Sequence, residues 1–214
     1  MRLTKHAHSC VEIDHGDGHL LIDPGSLTAN AATLVARTAV VLITHQHADH
    51  LDADAVAAAL ATRRDLRVYG PAAAVEPWLA RYADRVKAVG PGDALLIEGI
   101  EVTVHGGAHA VVHADLPRVA NVGYLIEGTV FHPGDSYDVP GALVDVLLLP
   151  VSGPWMKLAE AVEFARAVSP ERIVAIHELA ASPFGLQLLA AHFAPGRLVE
   201  TVLEVLELGE AVEV

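Results

Sequence analysis

Residues 44–50, Thr-His-Gln-His-Ala-Asp-His, place three histidines and one aspartate directly after an apolar, β-branched run at 40–43. Such a run is typical of a buried strand, and the alanine-rich sequence after Asp52 is typical of a capped helix. The polar cluster is therefore predicted to lie where a strand ends and a helix begins, at one edge of a sheet. Imidazole and carboxylate groups bind metal ions, so their concentration here predicts a metal site.

The spacing within this cluster indicates two metal ions. Side chains alternate along an extended chain, so His45 and His47 face the same side. The turn that follows brings Asp49 and His50 round from a second direction. Two neighbouring ions suit that arrangement better than one.

The rest of the chain alternates between strand-like and helix-like segments. Strands are predicted at 11–13, 19–22, 40–43, 66–69, 94–97, 100–105, 121–127, 129–132, 144–150 and 172–177, and helices at 29–37, 54–64, 71–82, 157–168 and 184–193. We predict a layered α/β fold with sheets inside and helices outside, in which residues 1–214 form one domain.

Charge and composition limit the function classes. The 214 residues carry a formal net charge of −13 without a compensating block of lysine and arginine, which disfavours nucleic acids and anionic membranes as partners. No apolar run is long enough to cross a bilayer, the first residues lack the apolar core of a signal peptide, and Cys10 is the single cysteine. We therefore expect a cytoplasmic protein that acts on a small molecule.

Three more candidate ligands follow predicted strands later in the chain. They are His109, Asp135 and His177. A polar residue that closes a buried strand is costly unless it has a partner, so these positions also point to a shared site. His113, four residues beyond His109, is the alternative to it as a ligand.

The motif His-x-His-x-Asp-His, followed by a later His, Asp and His, resembles the metallo-β-lactamase-fold superfamily of metal-dependent hydrolases. The resemblance covers nearly the whole chain. The segments Ala-His-Ser-Cys at 7–10, Phe-His-Pro-Gly-Asp-Ser at 131–136 and Leu-Pro-Val at 149–151 further resemble the compact branch of ascorbate-phosphate-lactonase-like and uncharacterised hydrolases. The resemblance implies a four-layer αββα sandwich, with two mixed β-sheets inside and helices outside.

The resemblance also implies which side chains hold the metals, as two sets joined by one bridging carboxylate. These are His45, His47 and His109 for the first ion, Asp49, His50 and His177 for the second, and Asp135 between them. Zn²⁺ suits this mixture of neutral imidazoles and carboxylates, and Mn²⁺ or iron fits the same ligands.

The implied activity is metal-dependent hydrolysis. A hydroxide shared by two ions would attack a small carbonyl or phosphate ester, a lactone or an amide, and Asp49 would orient it. One alternative is an iron-dependent oxidoreductase on the same fold, which His47 disfavours because diiron electron-transfer relatives usually carry an acidic residue there. A metal-dependent nuclease or phosphodiesterase is disfavoured by the acidic balance, and a non-catalytic metal-binding module by the full ligand set.

Several residues are assigned to supporting positions. Asp23 matches a family position that orients a metal ligand through a hydrogen bond. His8 matches a position near the entrance to the metal site. The loop around His113 would cover the site as a flap. A turn carboxylate and an ordinary strand histidine are the alternatives for the first two. Two interpretations, lining the substrate pocket or belonging to a segment that enters a helix, apply to Ser152, Trp155 and Lys157. The alternation at 203–208 fits an edge strand that pairs with a second copy of the chain or packs on its own sheet.

Overall fold

A computed structural model describes residues 1–16 and 18–214, which form two seven-stranded sheets. The first sheet contains, from edge to edge, β14 (Ala211–Glu213), β1 (Arg2–Lys5), β2 (Val11–His15), β3 (Gly18–Ile22), β4 (Val40–Leu42), β5 (Arg67–Gly70) and β6 (Val86–Ala88). The second contains β13 (Leu203–Glu204), β12 (Arg172–Ile176), β11 (Val146–Pro150), β10 (Val130–His132), β9 (Val122–Ile126), β8 (Ile100–Gly106) and β7 (Ala94–Ile97). Both sheets mix parallel and antiparallel pairs.

In the part of the chain that the structure describes, five α-helices cover the outer faces of the sheets. They are α1 (Ala31–Arg37), α2 (Ala53–Thr62), α3 (Ala72–Leu79), α4 (Leu158–Val168) and α5 (Pro183–Ala190), with a single 3-10 turn at Glu178–Ala180. Helices α1, α2 and α3 pack on the first sheet, and α4 and α5 pack on the second. In the described residues no helix is long and apolar enough to span a membrane.

The apolar side chains form three layers between these elements. Strand β11 shows why its sequence, Val-Leu-Leu-Leu-Pro, lacks alternation. Its Leu148 packs into the layer between the sheets, whereas Leu147 and Leu149 pack against the helices on the other side. A strand covered on both faces is apolar throughout. The four-layer αββα sandwich is therefore confirmed.

The strand directions bring the candidate ligands to one edge of the sandwich. Strands β3 and β4 are parallel in the first sheet, as are β10, β11 and β12 in the second, so their carboxyl ends lie together within each sheet. Backbone hydrogen bonds join the two sheets at this edge, from Val122 N to Thr44 O at 2.9 Å and from His177 N to His8 O at 3.1 Å.

The structure differs from the predicted elements at the periphery. Strand β6 was not predicted, because three residues at a sheet edge carry little pattern. Of residues 203–208 only Leu203 and Glu204 pair, and they join β12 in the second sheet, while β14 pairs with β1 in the first. Asp17, between the strands predicted at 11–13 and 19–22, lies outside the described residues.

Tyr124 tests the contact between the sheets. Its buried hydroxyl donates to the carbonyl of Ile43, across from β9 to the end of β4, at 2.8 Å. Tyr124→Phe leaves that carbonyl without its partner, so we expect the free energy of unfolding to fall by about 1–3 kcal/mol. Tyr82→Phe, at a partly exposed ring, is the control and should change it by less than about 0.5 kcal/mol. Urea denaturation measures both, and equal effects would contradict this role of Tyr124.

Candidate metal centre

The cluster at 44–50 is shaped by a tight turn between β4 and α2. The backbone N–H groups of His50 and Leu51 both donate to the carbonyl of His47, at 3.0 and 2.9 Å. The Asp52 carboxylate then accepts from Ala55 N at 3.0 Å and caps the first turn of α2. The strand–turn–helix prediction is thus confirmed, and the turn separates His47 from His50.

Gly25 supports this turn from below. A Cβ atom at this position would lie 1.8 Å from the backbone oxygen of Asp49, so no larger residue fits without moving the backbone. The neighbouring Ser26 N donates to Ala48 O at 2.7 Å. The loop after β3 therefore fixes the backbone position of Asp49 and His50 at the sheet edge.

The side chains at this edge form two groups of potential metal ligands. The ligand atoms within each group lie within 4.8 Å of one another, and the groups are His45, His47, His109 and Asp135, and His8, Asp49, His50 and His177. The division follows the two sets implied by the family resemblance, with His8 added to the second. The structure brings these residues together, while their role as ligands stays a prediction.

Asp135 occupies the position between the two groups. Its Oδ2 lies 3.3 Å from His109 Nε2 and 3.2 Å from His177 Nε2, and its Oδ1 lies 3.1 Å from His50 Nε2. One carboxylate thus reaches imidazoles of both groups, as a bridging ligand must. Trp155 Nε1 donates to the same Oδ2 at 3.1 Å, which holds the carboxylate in place.

Buried polar atoms at the centre have unsatisfied hydrogen-bonding capacity. Within the described part of the chain His50 Nε2, His177 Nε2 and Asp135 Oδ1 are buried and make no hydrogen bond of acceptable geometry. A buried polar group left without a partner costs about 1–3 kcal/mol. Divalent ions would satisfy these atoms, so the donor set fits the metal ions that the resemblance implies.

Asp23 orients His50 from the far side of the ring. His50 Nδ1 donates to Asp23 Oδ2 at 2.6 Å, and Thr44 donates to the same carboxylate from its backbone N at 2.7 Å and its hydroxyl at 2.6 Å. His109 is fixed similarly, because its Nδ1 donates to the carbonyl of Ala110 at 2.6 Å. In both rings Nε2 remains directed at the centre, the arrangement common around metal-bound histidines.

The surroundings keep several of these groups in the protonation state that metal binding needs. Burial, and then repulsion from His50, lowers the pKa of His45 well below its usual value. Burial by itself would raise the pKa of Asp135, but the imidazoles of His50, His109 and His177 hold it well below its usual range. The result is a neutral imidazole facing an ionised carboxylate, which are the protonation states in which these groups can bind a metal ion.

Two other histidines show that the centre attracts positive charge. Burial opposes the charged form of His177, but the carboxylates of Asp135 and Asp49 outweigh it and raise its pKa to about 8. Burial likewise opposes protonation of His50, yet Asp135 and Asp23 raise its pKa well above the usual value. When no metal ion is bound, the protons on His50 and His177 balance the negative charge of the neighbouring carboxylates.

Three residues of the centre adopt left-handed backbone conformations. The φ angles are 58° at His8, 49° at Asp23 and 59° at His177. Residues other than glycine rarely adopt positive φ, and such conformations concentrate at functional sites. They turn each side chain sharply as its strand ends, which sequence periodicity does not show.

The structure places His109 in the centre and His113 outside it. His109 is buried, whereas the side chain of His113 is 64% exposed and its Nδ1 accepts from Asp115 N. His113 instead borders a cavity beside His47, which agrees with a place in a loop over the site.

Sequence reasoning missed other contacts around the centre. Trp155, in the segment expected to line a pocket or to start a helix, donates from Nε1 to Asp135. Behind His8 lies an ion pair in which Lys5 Nζ donates to Glu178 Oε1 at 2.9 Å, and the same oxygen accepts from His8 N at 3.0 Å. Lys5 is 1% exposed, although its position near the N-terminus in a polar segment gave no sign of burial.

The chain matches known proteins along most of its length. Residues 2–177 match the family model described as a beta-lactamase superfamily domain. The protein Rv0786c of Mycobacterium tuberculosis is 38% identical over 192 residues, which cover 86% of each chain. A protein of Methanopyrus kandleri named as a UPF0173 metal-dependent hydrolase is 30% identical over 201 residues, which cover 83% of this chain and 84% of that one.

Solved structures share the fold at lower identity. Igni18, a metallo hydrolase from Ignicoccus hospitalis, is similar with a TM-score of 0.71 and 21% identity over 99% of this chain and 97% of its own. CmlA, a diiron β-hydroxylase from Streptomyces venezuelae, is similar with a TM-score of 0.68 and 18% identity, over all of this chain and 54% of its own.

The raised pKa of His177 predicts proton release on metal binding. In the metal-free protein this imidazole holds a proton below about pH 8, and an ion that binds it must displace that proton. The apparent affinity for Zn²⁺ should therefore rise as the pH increases from about 6 to about 8. Calorimetric titration in buffers of different ionisation enthalpy measures both quantities. An affinity independent of pH in this range, or net proton uptake, would contradict the prediction.

Proposed function

The chain belongs to the beta-lactamase superfamily as a metal-dependent hydrolase, and we propose that it uses two divalent ions to cleave a small carbonyl or phosphate ester, lactone or amide. The observation that carries this proposal is the pair of facing donor groups that share Asp135. The unsatisfied atoms of His50 and His177 point into the same space. Buried nitrogen and oxygen atoms without hydrogen-bond partners are costly, and cations that bind between them would remove that cost.

The proposed ligand sets follow the two groups. His45, His47 and His109 would hold the first ion, Asp49, His50 and His177 the second, and Asp135 both. We propose Zn²⁺ as the metal, because imidazole and carboxylate ligands suit it, while Mn²⁺ and iron accept the same donors. When bound, two such ions supply Lewis acidity at the substrate oxygen and acidify water to near-neutral pKa.

The residues of the chain have distinct tasks in this reaction. Asp49 is the carboxylate open to the substrate side, since its side chain is 33% exposed compared with 3% for Asp135. The imidazoles of His177 and His8 outweigh its burial and lower its pKa, so it stays ionised and accepts a hydrogen bond from the attacking water. Asp135 stays fixed between the groups by Trp155. Asp23 prevents the ring of His50 from rotating.

We further propose that residues 1–214 act as one domain on a small molecule in the cytoplasm. Both halves of the chain supply members of each donor group, which supports one functional unit. The net charge of −13 disfavours nucleic acid and anionic membrane surfaces as partners. Cys10 is buried and free, which suits a reducing compartment.

Paired substitutions test the ligand assignment. His47→Ala and Asp135→Asn each remove a proposed ligand, so we expect bound metal to fall by one ion or more per chain and hydrolysis to fall at least about 100-fold. His15→Ala and Asp84→Asn are matched controls, because both side chains are exposed and lie outside the centre and the cavities beside it. His113→Ala tests the alternative ligand, and we expect its bound metal to stay unchanged. Metal analysis and assays on an ester, lactone, thioester and phosphodiester panel provide the measurements.

Certain outcomes would contradict the assignment. Full activity in a rigorously metal-free preparation would reject metal-dependent hydrolysis by this chain. Equal loss of metal in His47→Ala and His113→Ala would reject the placement of the first ion. Two bound metals with no turnover across the whole panel would favour a non-catalytic metal-binding protein.

The fold shared with CmlA makes an iron-dependent oxidoreductase the second candidate. The same imidazoles and carboxylates accept iron. The histidine at 47 favours hydrolysis over electron transfer, since diiron electron-transfer relatives usually carry an acidic residue at that position. Metal analysis of protein purified without added metal separates the two. We expect zinc or manganese to predominate, and two redox-active irons per chain would favour the oxidoreductase.

A further inference from the structure

Two cavities open beside the candidate metal centre, and they differ in polarity. The first has a volume of about 250 Å³ and is lined by His47, His109 and the loop at 110–119, whose lining side chains are apolar except for His113 and Arg118. The second, of about 570 Å³, exposes more polar than apolar surface, and Ser136, Asp138 and Lys157 are among its lining residues. They share the loop residues at 110–112 and Arg118.

The loop at 110–119 presents apolar side chains to solvent beside the metal centre. Val111 is 59% exposed, Val112 39% and Leu116 56%. Three exposed apolar side chains in one short loop form an apolar surface, and a ligand that buries this surface gains binding free energy. Because His47 and His109 line the same cavity, that ligand would contact the candidate metal ligands as well.

The ends of this loop are tied to the centre. His109 N donates to Val119 O at 3.0 Å, and Ala110 N donates to Asp135 O at 2.7 Å. The described hydrogen bonds of the tip are local, such as Leu116 N to His113 O at 3.1 Å. The loop is thus positioned at its base by the metal centre, with its apolar tip over the cavity.

We propose that the loop at 110–119 forms an acyl-chain subsite, so that the substrate is an ester or thioester of an apolar acyl group with a polar leaving group. This inference rests on the proposed hydrolase function and names its substrate class. The acyl chain occupies the apolar cavity against Val111, Val112 and Leu116, and the leaving group occupies the polar cavity. Arg118 lines both cavities, so a substrate that fills both would contact its side chain.

The polar cavity carries groups of both signs, which fits a hydrophilic leaving group rather than a strongly charged one. Lys157 lies 3.0 Å from Glu160, and Asp138 lines the same cavity.

The reaction is hydrolysis of the ester or thioester bond. Water adds its oxygen to the acyl carbon, the bond from that carbon to the leaving oxygen or sulfur breaks, and the leaving atom takes a proton. The products are a carboxylic acid and an alcohol or thiol.

Chain-length preference tests the subsite. S-acetyl, S-butyryl and S-hexanoyl thioesters of N-acetylcysteamine share one polar leaving group, and the metal-loaded protein is assayed for thiol release. Each buried methylene is worth up to about fourfold, so we expect kcat/KM for hexanoyl to exceed that for acetyl at least about tenfold. Leu116→Ser should reduce this ratio severalfold. Leu143→Ser, at an 88% exposed residue that lines neither cavity, should leave the ratio and the rates unchanged.

The outcomes separate the subsite from the hydrolase function. Metal-dependent turnover with a flat chain-length profile, or a hexanoyl-to-acetyl ratio unaffected by Leu116→Ser in a folded protein, would overturn the subsite and leave the hydrolase intact. If no thioester is cleaved, binding of hexanoate and acetate is followed by the fluorescence of Trp155 and Trp78. Tighter binding of hexanoate that Leu116→Ser weakens would support the subsite, and equal or absent binding would overturn it.

Discussion

The buried carboxylate of Asp135 is the interaction on which the rest of the site depends. It is 2% exposed and lies within 3.3 Å of imidazole nitrogens from three separate segments of the chain. A buried negative charge is stable only with positive charge beside it. Without a metal ion that charge comes from protons on His50 and His177, which explains their raised pKa values. Either protons on these imidazoles or bound metal ions can balance the charge of Asp135, so the two would compete for the same imidazole nitrogens.

The fold provides the rigidity that this arrangement needs. Each candidate ligand follows the end of a strand packed in a continuous apolar layer, and hydrogen bonds across the edge join the two sheets at Thr44 and His8. Outer contacts then fix individual rings, as Asp23 does for His50 and the carbonyl of Ala110 for His109. The exposed loop at 110–119 forms one flank of the centre. In the proposed function, the strand ends would hold the metal ions and this loop would contact the substrate.

Much of this was predictable from sequence where a pattern is local and strong. The apolar runs, the cluster at 44–50 and the amphipathic helix α4 carry clear periodicity, whereas the grouping of distant ligands came from the family resemblance. The left-handed conformations of His8 and His177 were not predictable, since no turn residue such as glycine marks them. The contact of Trp155 with Asp135 was not predictable, because it spans 20 positions along the chain. Long-range contacts between single side chains leave no periodic signal.

The pairing of β1 with β14 has a consequence for the order in which the protein is made. Arg2 lies opposite Glu213 in that ladder, and His8, which follows β1, contacts His177 through its backbone. A nascent chain emerges from its N-terminal end, so the cluster at 44–50 leaves the ribosome long before His177 and β14. The first candidate donor group lacks His109 and Asp135, and the second lacks His177, until those segments have been synthesised. The candidate centre is therefore complete only after the strands that precede these residues have joined their sheets.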